Sequence, residues 1–451
     1  MKNYSRREWL KLGLQGSLGL AALSSLQLSA ISRAVAAPAV AGSDYKALVC
    51  VFLFGGNDSA NMLIPLGGDS LTGYRQARQA LAVEGALAIT PKTAVPDGIG
   101  FHPAMAPLLP LFENKQLAMV TGVGALQQPT SKISVQQGTA LLPKNLYSHN
   151  DQQATWMRGQ EPLSIDKGWG ANMLELLSQQ HEFSSCISLS GTNLWQKGEV
   201  LQPFGMSAKG VPVLNAGSGN GSRAALVRQL QAALLAQQSH PLQQLYAGSS
   251  SAAQARSLII ADALTQAPTL TTSFATDNNL AQQLKMVARL ISVQGHLGLS
   301  RQVFFVGMGG FDTHDDQNTV HPALLGTLSA ALDSFYQATA ELGVANQVTT
   351  FTMSDFGRTL SSNGDGTDHG WAGNQLVLGG AVAGGELYGQ LIEQRLGSAY
   401  DAGSGRMIPT TANAQLFASL AAWFGVPPAQ LPILFPALPA FSTATLPLFL
   451  S

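Results

Sequence analysis

Six short apolar runs recur along the chain: ALVCVFLF (47–54), QLAMVTGV (116–123), CISLS (186–190), QVFFVGM (302–308), QVTTFTM (347–353) and QLVLGG (375–380). They are rich in Val, Phe and Leu and carry no sustained polar alternation. Each therefore reads as a strand covered on both faces rather than one with a solvated side. Helical patterns lie between them. In DNNLAQQLKMVARLISVQG, residues Leu280, Leu284, Val287, Ala288 and Ile291 fall on one face behind Asp277 as a candidate cap. HPALLGTLSAALDSFYQATAELG closes on Gly343. Strands that alternate with helices predict an α/β chain with a mostly parallel central sheet covered on both faces.

The 451 residues, 45% of them hydrophobic and with 47 glycines, exceed what one small core needs and fit one large domain or two. No internal repeat or long linker divides them, so a single domain over 37–451 is expected. The Ala/Gln/Leu/Ser-rich stretch near 205–300 reads as a helical insertion in it. Formal net charge is −1, and no block of like charges marks a nucleic-acid arm or a polybasic membrane patch. Small molecules are the partners this leaves. Cys50 and Cys186 sit in apolar runs and read as buried free thiols. The Pro-rich tail VPPAQLPILFPALPAF predicts an extended surface strap.

Residues 1–36 read as an address. A basic start precedes a Gly/Ala/Leu/Ser stretch that is too polar for a spanning helix, and Ala34-Val35-Ala36 offers a small-residue cleavage site. Ser5-Arg6-Arg7-Glu8-Trp9-Leu10-Lys11 matches the twin-arginine export pattern, with Trp9 where Phe is commoner. Cleavage after Ala36 removes Lys2, Arg6, Arg7, Lys11 and Arg33 from 25 basic residues and Glu8 from 26 acidic ones, leaving a net charge of −5. Periplasmic or secreted placement follows, with the twin-arginine machinery as a partner and no stable membrane anchor.

Open α/β sheets bind ligands just beyond the carboxyl ends of their strands. Here strand 47–54 runs into Gly55-Gly56-Asn57-Asp58-Ser59, strand 302–308 into Gly309-Gly310-Phe311-Asp312-Thr313-His314, and strand 347–353 into Ser354-Asp355-Phe356-Gly357-Arg358. A fourth loop, Gly366-Thr367-Asp368-His369-Gly370, precedes the run 375–380. Singly, Asp58 and Asp312 fit turn caps, and His314 and His369 fit structural histidines. Together, acids and imidazoles from separate strand ends repel unless a cation lies among them. One or two divalent ions (Zn, Ca, Mg or Mn) are the cofactor this implies. Asp365 reads as a solvated turn residue, and SSNGDGT as a flexible excursion whose Gly364, Gly366 and Gly370 turn the backbone.

A fifth stretch, Tyr147-Ser148-His149-Asn150-Asp151, opens a helix. Ser148 and Asp151 fit a capping-box variant, and a hydroxyl at a helix N-terminus equally suits an incoming phosphate or sulfate. No G-x-S-x-G elbow, Walker loop or dinucleotide fingerprint is present.

The twin-arginine leader, FLFGGNDSANMLIP, SHNDQQATWMRG, GMGGFDTHDDQ and SDFGRTLSSNGDGTDHGWAGNQLVLGGAV together resemble a bacterial exported family catalogued as domain of unknown function 1501. That family is grouped with the alkaline phosphatase and sulfatase superfamily. The resemblance implies a three-layer α/β/α sandwich, alkaline-phosphatase-like, with a metal-assisted site at the strand ends. It also implies that Asp58 binds one metal with the nucleophile and Asp355, while Asp312, His314 and His369 bind a second. Three departures stand out. The Asp and His of FDTH lie closer together than in the phosphatases, Phe356 stands where a His follows the Asp, and the phosphatase register of Ser, Trp and Gly falls on His149 rather than Ser148.

The expectation is an exported hydrolase-like protein acting on a small phosphate or sulfate ester. Ser148 or His149 stands at the nucleophile position, and Arg358 or His149 holds the ester oxyanion. The alternative is a non-catalytic periplasmic binding or assembly protein that retains a structural cation. Replacing Arg6 and Arg7 by Lys should leave precursor in the cytoplasm on fractionation; an unchanged periplasmic yield would refute the export reading.

Overall fold

The apolar runs form one sheet of nine strands: β1 (Lys46–Leu53), β2 (Leu117–Gly124), β3 (Cys186–Ser188), β4 (Phe204–Gly205), β5 (Arg301–Met308), β6 (Val348–Ser354), β7 (Gly373–Leu378), β8 (Leu387–Tyr388) and β9 (Thr411–Ala412). The computed structural model describes residues 44–159, 166–177, 182–212, 220–235 and 240–450; the leader lies outside them. The strand order is β8-β2-β7-β6-β1-β5-β3-β4, with β9 beside β2. β1 pairs in parallel with both β5 and β6, and Leu53 stands level with Met308 and Ser354. Three carboxyl ends therefore stop on one line. β7 runs antiparallel to β6 and β2, so its amino end opens on that same line. The sheet is mostly parallel, and its one reversed central strand brings the loop before β7 to the edge where β1, β5 and β6 finish.

The longer helices among the described residues are α1 (Gly68–Arg78), α2 (His149–Arg158), α3 (Trp169–Leu177), α4 (Ser222–Leu235), α5 (Pro241–Thr265), α6 (Asn279–Ser292), α7 (Gln317–Glu341) and α8 (Asn413–Phe424). Side chains alternate across a strand, and Leu48, Cys50 and Phe52 share one core with Trp156 of α2, Trp169 of α3 and Phe417 of α8. Trp169 stacks on Phe417 with ring centroids 4.8 Å apart. The other face receives Val49 and Val51. α6, whose buried Leu280, Leu284, Val287, Ala288 and Ile291 follow the sequence pattern, packs beside β5 and α7. Its cap is Asn278 rather than Asp277: the Asn278 Oδ1 accepts from the Ala281 amide at 3.0 Å. α7 ends as expected on Gly343, at φ +70.

The chain divides into two compact units. The sheet unit comprises 44–210, 268–292 and 300–451; the other takes in 211–267 and 293–299. α4 and α5 belong to the second, where Ala263, Val293, Leu297 and Leu299 form a small core. The Pro-rich tail departs from the strap expected. It makes short helical turns at Pro428–Gln430, Leu431–Leu434 and Leu438–Ala440 and buries Leu431, Phe435, Leu438 and Leu448 in the main core. Proline is tolerated in the first turn of a helix, and very short helices are all first turn. Both cysteines are buried free thiols. No helix among the described residues is long and apolar enough to cross a membrane.

Two buried histidines flank the loop after β1. His321 on α7 sits 3.0 Å from the Asn57 Oδ1 through Nε2, and the His102 Nδ1 accepts from the Ala104 amide. Burial pushes His102 down to about 4 from its ordinary 6.5. Burial, with His102, Arg78 and Arg358 nearby, pushes His321 to about 3. Both folded values lie below the unfolded one, so on acidification the unfolded chain takes up these protons first. Their stabilisation is complete above about pH 6.5 and is lost as pH falls toward 4, by ~1.4 kcal/mol per pH unit for each histidine. Urea unfolding across that range should show the slope. His321→Gln, which can still donate to Asn57, should flatten it by about one histidine's share.

Candidate metal centre

The loops after β1 and β5 continue side by side. The Phe311 amide donates to the Phe54 carbonyl at 3.2 Å. A Cβ on Gly55 would lie 2.4 Å from the Asp312 nitrogen, so glycine there is what lets Asp312 reach the edge. Asp355 follows β6 directly. Arg358–Ser362 and Thr367–His369 pair as an antiparallel hairpin in which Arg358 faces His369. SSNGDGT is thus the turn of a paired hairpin, not a loose excursion. Of its glycines only Gly364 takes the left-handed region, at φ +135. Gly366 and Gly370 serve close approach instead: Cβ atoms there would stand 2.3 Å from the His314 backbone and 2.5 Å from the Arg358 backbone.

Five side chains from four segments converge. His149 opens α2, and its Nδ1 lies 2.6 Å from the Asp355 Oδ2. Its Nε2 faces the Asp312 Oδ2 at 3.5 Å. The His369 Nδ1 lies 2.8 Å from the Tyr147 carbonyl, while its Nε2 lies 3.3 Å from the Asp312 Oδ1 and 2.9 Å from the His314 Nε2. That His314 nitrogen is itself 3.0 Å from the Asp312 Oδ1. One ligand atom each from His149, Asp312 and His369 fit within 4.8 Å of one another. A carboxylate and a carbonyl only accept, so Nδ1 carries the proton in His149 and His369 and the Nε2 lone pairs face inward. Imidazole nitrogens with a carboxylate make a donor set suited to zinc or a similar divalent ion.

Other candidates stand outside this cluster. Asp58 is fully buried and ion-paired with Arg78, also fully buried; Gln317 donates to the same oxygen at 2.5 Å. Burial, with Arg358 close by, pulls Arg78 down to about 9, which leaves it charged at neutral pH against its carboxylate partner. The Oδ1 atoms of Asp58 and Asp355 are both buried and bonded to no described residue. Arg358 is committed inward: it donates to the Asp312 Oδ1 at 2.6 Å, to the Gly55 carbonyl at 3.2 Å and to both oxygens of Thr367. Ser148 is the N-cap of α2, but its side chain makes no capping hydrogen bond, so no capping box forms with Asp151. Asp365 is exposed at the hairpin turn.

Burial pushes the Asp312 carboxyl up, but the hydrogen bond and charge of Arg358, with His314 and His149 nearby, outweigh it and hold the group below its ordinary range. Burial raises Asp355, against hydrogen bonds from Gln153 and His149. Burial lowers His369 against the hydrogen bond to the Tyr147 carbonyl, with the charges of His149 and Arg358 acting in the same direction as burial and Asp312 against it. A neutral His369 imidazole is the form that ligates a metal.

A family model described as a protein of unknown function, DUF1501, matches residues 45–419. The chain belongs to that family. No curated protein matches its sequence. In backbone shape this DUF1501 chain is similar to a 2-O GAG sulfatase at 9% identity and TM-score 0.35, covering 87% of this chain and 74% of that one. It is similar also to a sulfatase from Pseudoalteromonas sp. at 9% identity and TM-score 0.31, with 87% and 74% covered.

Sequence reasoning missed Gln153, whose Nε2 donates to the Asp355 Oδ2 at 3.0 Å. Its place four residues after His149 puts both on one helical face, a signal that was available. It missed Arg78 and Tyr147 too. Tyr147 acts through its backbone carbonyl, which no residue type announces. The Asp58–Arg78 pair generates a test. Removing one partner of a buried pair leaves an uncompensated charge, so Arg78→Met should cost about 3–5 kcal/mol in urea unfolding. Adding Asp58→Leu should recover most of that loss.

Proposed function

We propose that this chain is an exported metal-dependent hydrolase-like protein acting on a phosphate or sulfate ester. The carrying observation is the aim of the imidazoles: His149 and His369, each tied through Nδ1, turn Nε2 toward one Asp312 carboxylate. The His314 and His369 Nε2 atoms, 2.9 Å apart, repel as two lone pairs unless a proton or a cation separates them. His149, Asp312 and His369, with His314 at their edge, would hold the ion. The orphan oxygens of Asp58 and Asp355 would hold any second one. A divalent ion bound there supplies Lewis acidity toward an ester oxygen.

The protein's own groups then divide the work. Asp355 and the Tyr147 carbonyl fix the two imidazoles. Arg358, with its side chain fully buried, orients Asp312 rather than touching substrate. Ser148 keeps an uncommitted hydroxyl at the N-terminus of α2, beside His149, where free amides favour an anion; it is the nucleophile of this reading. The twin-arginine leader supports export to the periplasm.

Elemental analysis of chelator-free protein should find one or two divalent ions per chain, lost in His149→Ala and in His369→Ala. Asp355→Asn, which loosens His149, should lower metal affinity and 4-nitrophenyl phosphate or sulfate hydrolysis by about 10–100-fold. Protein without stoichiometric metal would overturn the reading. One observation favours a second reading, a non-catalytic protein with a structural cation. Phe356, only 3% exposed, lies 4.9 Å from the His149 ring and 4.7 Å from the His369 ring, so no nitrogen ligand stands there. Bound metal with no turnover of either ester would support it.

A further inference from the structure

An anionic substrate needs a cation to meet it, and Arg358 is spent on Asp312, Gly55 and Thr367. A different arginine is available. Arg406 lies with its guanidinium carbon 4.7 Å from the centre of the Tyr147 ring, and its Nε donates to the His369 carbonyl at 3.3 Å. Among the described residues no carboxylate pairs with it, and its two terminal amino groups donate to none. It is partly exposed. The two residues it touches are the two whose contact orients the metal centre, since the Tyr147 carbonyl holds the His369 Nδ1.

The loop that carries Arg406 is built to hold it still. The Asp401 Oδ1 accepts from the Gly403 and Gly405 amides, and the Leu360 amide of the hairpin donates to the Gly405 carbonyl at 2.8 Å. A Cβ on Gly405 would stand 2.5 Å from the Ser361 nitrogen, so the loop lies directly on the hairpin that ends in His369. A guanidinium stacked on an aromatic ring keeps its outer edge for a planar or tetrahedral anion.

We propose that Arg406, seated on Tyr147, forms an anion-binding subsite beside the metal centre. The substrate therefore carries a second anionic group, a carboxylate, sulfate or phosphate, besides the ester that is hydrolysed. This rests on the ester-hydrolase reading. Arg406 meets the His369 carbonyl, whereas the His369 Nε2 meets Asp312, so Arg406 is placed for an anionic group other than the one at the Nε2 atoms.

Calorimetric titration of the metal-loaded protein with benzylphosphonate and with 4-carboxybenzylphosphonate tests it. The wild type should prefer the carboxylated probe by about tenfold, the size of one charged hydrogen bond. Arg406→Gln should abolish that preference, Arg406→Lys should retain part of it, and Tyr147→Phe, which keeps both ring and carbonyl, should preserve it. Equal binding of the two probes by the wild type, or a preference that survives Arg406→Gln, would overturn the subsite alone. Binding of neither phosphonate would overturn the ester-hydrolase reading, and the subsite with it.

Discussion

The parallel registration of β1 against both β5 and β6 is the constraint on which the rest depends. Because Leu53, Met308 and Ser354 stand level, three loops leave the sheet along one line, within reach of one another. A parallel pair cannot be closed by a short turn, so each strand end is free to carry a polar loop instead of a hairpin. β7 completes the arrangement by running the other way. Its reversed direction presents the residues before Gly373, and with them His369, to the edge where the other strands finish. Had β7 been parallel, His369 would have entered the sheet from the opposite end.

The polar groups gathered at that edge are in conflict, and the fold resolves the conflict twice. Deep in the site the answer is internal. Asp58 meets Arg78, and Arg358 meets Asp312, so two of the three strand-end acids have a guanidinium against them, while Asp355 meets His149 and Gln153. Nearer the surface no such cation is built in. His149 faces the Asp312 Oδ2, while His314 and His369 face each other and the Oδ1 that Arg358 also meets, and among the described residues no lysine or arginine side chain bonds to these imidazole nitrogens. Desolvation at Phe356 and along α2 strengthens whatever charge interaction occurs there. A divalent ion is compatible with the groups gathered there.

Much of this was legible in the sequence, and the illegible part has a common cause. Apolar runs and helical periodicity located all six principal strands, α6 and α7, because burial on both faces of a sheet leaves a pattern in residue type. The strand-end acids and histidines were legible for the same reason: titratable groups are conspicuous beside apolar runs. What escaped depends on direction and partner rather than type. Nothing in Gly55-Gly56-Asn57-Asp58 says that Asp58 turns inward onto Arg78, twenty residues later on α1. Nothing in Tyr147 marks a carbonyl as the anchor of an imidazole. The proline tail misled because proline forbids helix interiors but not helix starts. The expected capping box at Ser148 shows the reverse case, a residue type with the right propensity, at the N-cap, whose side chain makes no capping hydrogen bond.

The position of His149 ties the site to the core more tightly than any loop does. It is the first residue of a ten-residue helix, and two turns on, Trp156 lies within the main core, with the Trp169 indole donating to the Trp156 carbonyl at 3.2 Å. Trp169 in turn stacks on Phe417 of α8. A side chain carried on a rigid element is held to a narrower range of positions than one on a loop, and here the rigid element is braced by three aromatic rings. Asp355, directly after the buried strand β6, fixes the ring from the other side. Imidazole and carboxylate thus each descend from the same hydrophobic layer, through α2 and through the sheet. Their 2.6 Å contact is set by core packing, so a core substitution that shifts α2 would misaim His149 without touching any polar residue.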